Sequence, residues 1–473
     1  MNPLPDHVDI AIVGAGVVGT ALAAVLSRSE LSVLVLERAD DVCEGTSKAN
    51  TAVLHTGFDC VPGSLESQLV TRGYGLLGEY AEHARIAVER TGALLVAWDA
   101  EQLGQLEAIA EKAAKNGIHD TRIVGLEELR AREPHLGPEA LGALEVPGES
   151  IIDPWSPVLA FALEAVANGA VISLTTEVLS AAATDDGHLL TTSKGTVRCS
   201  WLLNAAGLDA DLLNVDCGHD EFHVTPRRGE LIVYDKSARS LVSSIILPVP
   251  TATTKGVLVS PTVFGNVLLG PTADDLEDRR ATGTTGDGLT RLQLAGSRLV
   301  PELEDHEVTA TYAGLRAATE HRDYQLHAHP EERYVCIGGI RSTGLTASLA
   351  IAEYVADLLV DAGLETAGTR GPAQPPLMPP LGQAQRRASE DPEAIAENPA
   401  FGALVCHCEG VSKGEIENAL QGELGARSSG GLRRRTRAMN GRCQGFYCSA
   451  VVLEMLSHAS GLSLAELTGS GRP

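Results

Sequence analysis

"VDIAIVGAGVVGTALAAVLSRSELSVLVLERA", residues 8–39, decides the fold. The apolar run Val8–Val13 leads into Gly14-Ala15-Gly16-Val17-Val18-Gly19, a G-x-G-x-x-G turn, and an Ala/Leu-rich helix begins near Gly16. A second apolar run, Ser32–Glu37, ends on a carboxylate 18 residues after Gly19. Strand, glycine turn and helix together let a pyrophosphate approach a helix N-terminus. A carboxylate at the tip of the second strand can accept hydrogen bonds from an adenosine ribose. Gly14, Gly16, Val18, Gly19, Glu37 and Arg38 are therefore dinucleotide-binding candidates.

The fingerprint does not by itself choose between a flavin and a nicotinamide; the remaining chain does. Residues 65–90, 101–116 and 156–168 read as helices, 170–174 as a strand, and a further strand runs into Asn204-Ala-Ala-Gly207. "RYVCIGGI" (333–340) is another buried strand, and 344–363 a helix with an Ala/Leu/Ile face. Strands ending at Asn204 and at Gly338-Gly339 are expected to return to the first sheet, which suits a flavin cradled by discontinuous segments. No second G-x-G-x-x-G offers a nicotinamide site, so a reduced flavin here reoxidises by O₂ or passes its electrons on. Residues 221–325 alternate apolar and polar with many turns and suggest an antiparallel sheet. Residues 366–400 are rich in Pro and small polar residues and read as a linker or an arm over the surface. A compact cysteine module follows, 401–473.

The 473 residues allow two to four structural units. The net charge of −25 argues against a nucleic-acid partner, because phosphate backbones need a basic face. No apolar run reaches the ~20 residues that cross a bilayer, and the N-terminus lacks a targeting pattern, so a cytoplasmic protein is expected. Of nine cysteines, Cys43, Cys60, Cys199, Cys217 and Cys336 are scattered and read as free thiols. The last four cluster.

Several separated stretches resemble a known family in order: "TSKANTAVLHTGFDCVPGSLESQL" (46–69), "NAAG", "PRRGEL" (226–231), "KGVLVSPTVFGNVLLGPTADD" (255–275) and "YAGLRAATE…IGGIRSTGLTASLAIAEYV" (312–355). They resemble FAD-dependent glycerol-3-phosphate dehydrogenases, in the branch of the D-amino-acid-oxidase-like superfamily near the L-2-hydroxyglutarate oxidases. The C-terminal module resembles the bacterioferritin-associated-ferredoxin type of [2Fe–2S] domain. The resemblance implies α/β and α+β architecture. A Rossmann-like FAD-binding domain (1–85, 149–214 and 326–365) would carry an antiparallel-sheet substrate domain (86–148 and 215–325) and a small helical iron–sulfur module. It also implies flavin contacts at Thr46, Ser47, Ala49 and Asn50, at Val178 beside the adenine, and at Ala206, Gly207, Gly339, Gly344, Leu345 and Thr346.

Oxidising a secondary alcohol needs a base beside its hydroxyl, and His55 in "ANTAVLHTGF" is the candidate. An anionic substrate needs cations, and Arg316, Arg341 and Lys255 are expected to supply them. Arg227 and Arg228 read equally as residues at the cap–flavin border or on the surface. The family often has histidine where this chain has Phe264, a departure that bears on substrate preference. "HRDYQLHAHPEERY", with His321, His327 and His329, superficially resembles a metal patch and reads as a solvated turn before a strand.

Cys406-x-Cys408 and Cys443-x₄-Cys448 give four thiolates in two close pairs, separated by a stretch whose helix starts at the capping box Ser412-x-x-Glu415. Thiolates in this number suit [2Fe–2S] or Zn²⁺. C-x-C is atypical of zinc, and the resemblance of "GRCQGFYC" favours [2Fe–2S]. The basic run holding Arg433, Arg434, Arg435 and Arg437 reads either as a docking surface for an acidic redox partner or as a solvated loop. The expectation is thus an FAD enzyme that oxidises a small anionic secondary alcohol, with sn-glycerol 3-phosphate favoured. Its electrons would pass through the cluster to an acceptor subunit, a second flavoprotein or a quinone-linked protein through which the enzyme would meet a membrane. An oligomer is also expected. The alternatives are an L-2-hydroxyacid, amino-acid or opine dehydrogenase, an electron-transfer subunit with a degenerate substrate site, and a zinc-stabilised interaction module on a flavoprotein.

Overall fold

A computed structural model describes residues 4–250, 256–365, 368–371 and 373–468. The opening fingerprint forms the centre of an eight-stranded sheet. His7–Val13 pairs in parallel with Val33–Leu36 on one side and with Gly195–Asn204 on the other. Val171–Ser173 and Tyr334–Gly338 extend the parallel set outward. The strands ending at Asn204 and Gly338 therefore do return to the first sheet. Val178–Thr184, Gly187–Thr192 and Gln325–His329 add antiparallel strands. Strands such as Val33–Leu36 are apolar throughout because both sheet faces are covered. On one face the helices Val17–Leu26, Ser156–Ala167 and Gly344–Asp361 bury Ala21, Leu22, Phe161 and Ile351. On the other, Ala11, Leu34, Leu202 and Tyr334 pack with Ala210 and Phe222.

A nine-stranded sheet draws its strands from residues 93–146 and 225–318. It is antiparallel except where Ile245–Pro248 lies parallel to Ala93–Ala97. These two strands come from different chain segments, so no hairpin dictates their direction.

Three local expectations differ from the structure. The helix expected over 65–90 ends at His83, because Arg85 turns the chain at φ +57° and Val88–Glu89 then pairs with Ser150–Ile152. Within 221–325, Gly286–Leu299 is a helix: the Thr285 hydroxyl caps it by accepting from the Gly288 amide, and Leu292, Gly296 and Leu299 form its buried stripe. The histidine run is a solvated turn only at His321, which is exposed; His327 and His329 lie in Gln325–His329, a half-buried strand on the edge of Tyr334–Gly338.

The Pro-rich stretch runs over the surface as an arm. Met378 and Leu381 are buried in two separate hydrophobic cores, and the Met378 and Gln383 amides donate to Ala84 and Val263 carbonyls. From Arg387 onward it already belongs to the cysteine module: Arg387 pairs with Glu415 at 3.1 Å, and the Ser389 hydroxyl donates to the Gly410 carbonyl. The helix Lys413–Ala419 starts at the capping box formed by Ser412 and Glu415.

Neither reading of the arginine run holds. The helix Ser429–Thr436 turns Arg434 and Arg435 onto the first domain, where both meet the buried Asp41 carboxylate and Arg434 also reaches Glu44. Arg437 is buried, pairs with Glu409 at 2.8 Å, and lays its guanidinium 3.9 Å from the Phe264 ring centre. The patch is an internal clamp between the module and the rest of the chain.

Candidate functional site

A cavity of about 1110 Å³ runs along the carboxyl ends of the parallel strands into the interface with the second sheet. That exceeds the ~300–1,000 Å³ of ordinary small-molecule sites, as a dinucleotide plus a substrate requires. Gly14 shows why the wall must be glycine. It sits at φ +104°, and a Cβ there would stand 2.6 Å from the Ala205 carbonyl oxygen on the returning strand. Gly19 stands behind the wall, where a Cβ would meet the Gly14 carbonyl oxygen at 1.9 Å. Glu37 is fixed at the end of its strand by amides of Ala15 and Ala39, 2.7 and 2.8 Å from its two oxygens.

The other cofactor candidates distribute along this cavity. Gly16, Val18, Glu37, Arg38 and Val178 line it beside the fingerprint, and Arg38 also pairs with Asp209. Thr46, Ser47, Ala49 and Asn50 form the loop wall, with the Ser47 hydroxyl accepting from the Val17 amide and the Asn50 side chain donating to the Ser47 carbonyl. Ala206, Gly207, Gly339, Gly344 and Leu345 close the far side. Thr346 is fully buried outside the lining, where its hydroxyl accepts from the His55 amide at 3.0 Å.

His55 lines the same cavity. Its Nδ1 lies 3.1 Å from an oxygen of Glu149, a wholly buried carboxylate whose other oxygen accepts from the Thr56 amide and hydroxyl at 2.7 and 2.8 Å. Glu149 escaped the sequence reading: it sits in a turn before Ser150–Ile152, and nothing local marks it as the partner of a residue 94 positions away.

Arg316 also lines the cavity. Its Nη1 donates to the Thr272 carbonyl at 3.4 Å, and no carboxylate pairs with it among the described residues. Burial, with Arg227 nearby, pulls its pKa below the ordinary arginine value, a state that favours an incoming anion. Arg341 lines the cavity too but is already partnered, by Glu66 at 3.4 Å and by the Arg322 carbonyl. Lys255 lies outside the described residues. Arg227 faces the cavity and pairs with Asp275; Arg228 lies 3.7 Å from the buried Glu230. Phe264 does not line the cavity; it stacks on Trp155 at 5.4 Å and under Arg437.

The four late cysteines converge in the module as two facing pairs, Cys406 with Cys448 and Cys408 with Cys443. The first pair is buried and the second half-exposed. Backbone amides of Tyr447, then Gly445 and Phe446, aim at the Cys443 sulfur and hold its pKa below the ordinary thiol value. Burial and the neighbouring Cys406 push Cys448 up to about 11. Four sulfurs on one tetrahedral ion would all stand ~3.8 Å apart. Among the described residues no three of these sulfurs lie within 4.8 Å of one another. Two separated pairs fit a cluster of two irons better than one zinc. His407, between the first two cysteines, is exposed and meets the Tyr447 ring edge-on at 5.2 Å.

The fold, the cavity and the thiolate pairs define a flavin-dependent oxidoreductase with an appended iron–sulfur module. The chain belongs to the FAD dependent oxidoreductase (DAO) family, whose profile matches residues 9–358. Residues 404–458 match the BFD-like [2Fe-2S] binding domain. Its cofactors are FAD and a [2Fe–2S] cluster.

The chain is 34% identical over 462 residues to a glycerol 3-phosphate dehydrogenase of Caloramator mitchellensis, covering 97% of this chain and 96% of that one. It is 31% identical over 413 residues to the human mitochondrial L-2-hydroxyglutarate dehydrogenase, covering 74% and 88%. Among solved structures it resembles the dithionite-reduced L-alpha-glycerophosphate oxidase of Mycoplasma pneumoniae with FAD bound. The TM-score is 0.74 at 31% identity, with 79% of this chain and all of that chain covered. Among the described residues, no helix is long and apolar enough to cross a membrane.

Proposed function

We propose that the protein oxidises sn-glycerol 3-phosphate to dihydroxyacetone phosphate and passes the electrons through its [2Fe–2S] module to an external acceptor. The observation that carries this reading is Arg316, a half-buried guanidinium without a carboxylate partner among the described residues, in the same cavity as the His55–Glu149 pair. A phosphate calls for a forked cation, and a secondary alcohol calls for a base. The Caloramator mitchellensis relative, named a glycerol 3-phosphate dehydrogenase, supports the substrate and aligns along nearly the whole of this chain, cysteine module included.

With His55 Nδ1–H donating to Glu149, the Nε2 position is the basic one, and the substrate hydroxyl gives its proton there. The buried carboxylate then stabilises the imidazolium. Thr346 and Thr56 keep the pair in place, the first by holding the His55 amide and the second by donating to Glu149. Arg316 fixes the anionic end of the substrate and so orients its hydroxyl-bearing carbon. The bound flavin supplies the hydride acceptor. Arg341, Lys255 and the cavity-lining set from Gly14 to Leu345 belong to the same reading as substrate and flavin contacts. So do Cys406, Cys408, Cys443 and Cys448 as cluster ligands. The acceptor would be a second flavoprotein or a quinone-linked subunit that brings a cytoplasmic enzyme to a membrane.

Anaerobic titration of the holoprotein tests the reading. Glycerol 3-phosphate should bleach the flavin and then reduce the cluster, seen by its paramagnetic signal, while glycerol without the phosphate should do neither at equal concentration. Bleaching by L-2-hydroxyglutarate but not by glycerol 3-phosphate would overturn the substrate. A reduced flavin beside a cluster that stays oxidised would overturn the electron exit.

A further inference from the structure

The phenylalanines of this chain are buried or half-buried with one exception. Phe446 is 92% exposed and Tyr447 beside it 70%, the two most exposed large apolar side chains among the described residues. Both stand in the turn between Cys443 and Cys448. The Phe446 amide donates to the Cys443 carbonyl at 2.9 Å, and the Gln444 and Ser449 amides to the Gly441 and Gly445 carbonyls, each at 2.8 Å. Arg433 turns inward and holds the same turn through Asn440, the Met439 carbonyl and Gln444. The rings are thus presented on a fixed support, and little ordering is left to do when something seats on them.

Ala450 and Val451 continue the exposed face along the helix Ser449–Ser460, whose Val452 and Leu456 are buried in the module. His407, from the Cys406–Cys408 turn, meets the Tyr447 ring edge-on. Both cysteine turns therefore border one apolar patch, and the half-exposed Cys408 and Cys443 belong to those same two turns.

The patch is nearly free of charge in a chain of net charge −25. From Ala438 to Thr468 the only Lys, Arg, Asp or Glu residues are Arg442, Glu454 and Glu466. Arg442 is engaged by Asp235 and Glu307, and Glu409, after Cys408, is buried against Arg437. Exposed aromatic rings without charge beside them have the composition of an interface centre. Aromatic side chains of this size offer roughly 150–250 Å² each, so exposures of 92% and 70% leave roughly 250–400 Å² of ring surface. A lasting interface takes about 800 Å² from each partner, whereas brief electron-transfer encounters lie at the small end of the range. Two copies of this chain would also bring two net charges of −25 together. A permanent dimer is thus the poorer occupant and a transient redox protein the better one.

We infer that Phe446 and Tyr447, with Val451, seat the electron acceptor, a redox protein whose own one-electron centre lies beneath an uncharged apolar face. The inference rests on the electron exit proposed above. Each encounter passes one electron, so two encounters reduce two acceptor centres for each alcohol oxidised to a ketone, and the two protons released go to solvent. With so little charge at the seat, the encounter depends on apolar contact and is insensitive to salt.

The test follows reoxidation of the holoprotein by azurin, a blue-copper protein whose copper lies beneath an uncharged apolar face. The holoprotein is first reduced with dithionite and freed of the excess, and cluster and copper absorbance are followed after rapid mixing. Phe446→Gln should slow copper reduction by about tenfold or more. Val451→Gln should slow it in the same direction, and both variants should keep the wild-type paramagnetic signal of the cluster. The wild-type rate should change by less than about twofold from low to physiological salt. Leu294→Gln, at an equally exposed apolar side chain remote in sequence from the module, should behave as wild type. Equal rates in wild type and both patch variants, equal slowing in Leu294→Gln, or a rate that falls steeply with salt would overturn the seat. So would a dimer that Phe446→Gln dissociates in sedimentation, or binding to phosphatidylcholine vesicles that Phe446→Gln abolishes, since the occupant would then be a second copy or a lipid surface. Because reduction is chemical, a cluster that substrate leaves oxidised would sink the electron exit alone, and this half-reaction would still decide the seat.

Discussion

Asp41→Asn should release the iron–sulfur module from the flavin domain. The Asp41 carboxylate receives Arg435 Nη1 and Nη2 at 2.5 and 2.6 Å and Arg434 Nη2 at 2.9 Å. The side chains of Asp41, Arg435 and Arg434 are only 3%, 6% and 9% exposed. An exposed ion pair would contribute at most ~1 kcal/mol, but removing one partner of a buried pair costs about 3–5 kcal/mol, because the remaining charge is stranded. Asparagine keeps the size and turns an amide toward one guanidinium, while Glu44 still serves Arg434. Docking should therefore weaken by a factor of roughly a hundred to a few thousand. Solution scattering of the holoprotein should show a larger radius, and cluster reduction after anaerobic mixing with substrate should slow while flavin bleaching keeps its rate. Asp41→Asn combined with Arg435→Met removes both charges and should recover part of the loss. A single variant with unchanged radius, thermal midpoint and cluster-reduction rate would refute the clamp.

Glu149→Gln should lower kcat by roughly 10²–10⁴ with FAD content unchanged, and the low-pH limb of the kcat/KM profile, where the base must have lost its proton, should move to lower pH because the imidazolium loses its carboxylate. Arg316→Met should cost roughly 10- to 150-fold in kcat/KM for each charge-assisted hydrogen bond it makes to the substrate anion, with partial recovery in Arg316→Lys. Cys443→Ser should abolish the cluster's visible and paramagnetic signals, while anaerobic substrate still bleaches the flavin and turnover with a protein acceptor collapses.

Local signals in the sequence were sufficient for the first sheet. Val8–Val13, the glycine turn and Ser32–Glu37 carry their own periodicity, and the observed strands His7–Val13 and Val33–Leu36 match them within a residue or two. The returning strands were legible because each is a short apolar run ending in glycine or Asn-Ala-Ala-Gly. The helix Gly286–Leu299 was not, because glycines at 286, 288 and 296 dilute its helical pattern within a turn-rich stretch. In the cavity, His55 and Arg316 could be named as chemical types, but Glu149 could not, since its role exists only once a turn is folded against a loop 94 residues earlier. The arginine run shows the same limit more strongly. Its charge was visible, but its partner Asp41 lies 393 residues from Arg434, so neither docking surface nor solvated loop described it.

The clamp also changes the meaning of Phe264. As a departure from the family pattern it bore on substrate preference; in the folded chain it belongs to the junction. The Trp155 indole donates to the Lys48 carbonyl, one residue before the cavity-lining Ala49, and stacks on Phe264 with the rings 17° apart. Phe264 carries the Arg437 guanidinium on its face, and Arg437 binds Glu409, the residue after Cys408. A desolvated cation–π contact of this kind contributes about 2 kcal/mol, and a histidine at 264 would lose much of it whenever protonated. Contacts therefore run without a gap from the loop along the flavin cavity to the cysteine pair on the module's open side. With Asp41 fixing the helix Ser429–Thr436 from the other direction, the thiolates are held at one distance from the cavity. Electron exit by this route would then need no swing of the module, and its rate should be insensitive to added length in the arm ahead of Met378, because that part only tethers what the arginines and the packed Met378 and Leu381 already seat.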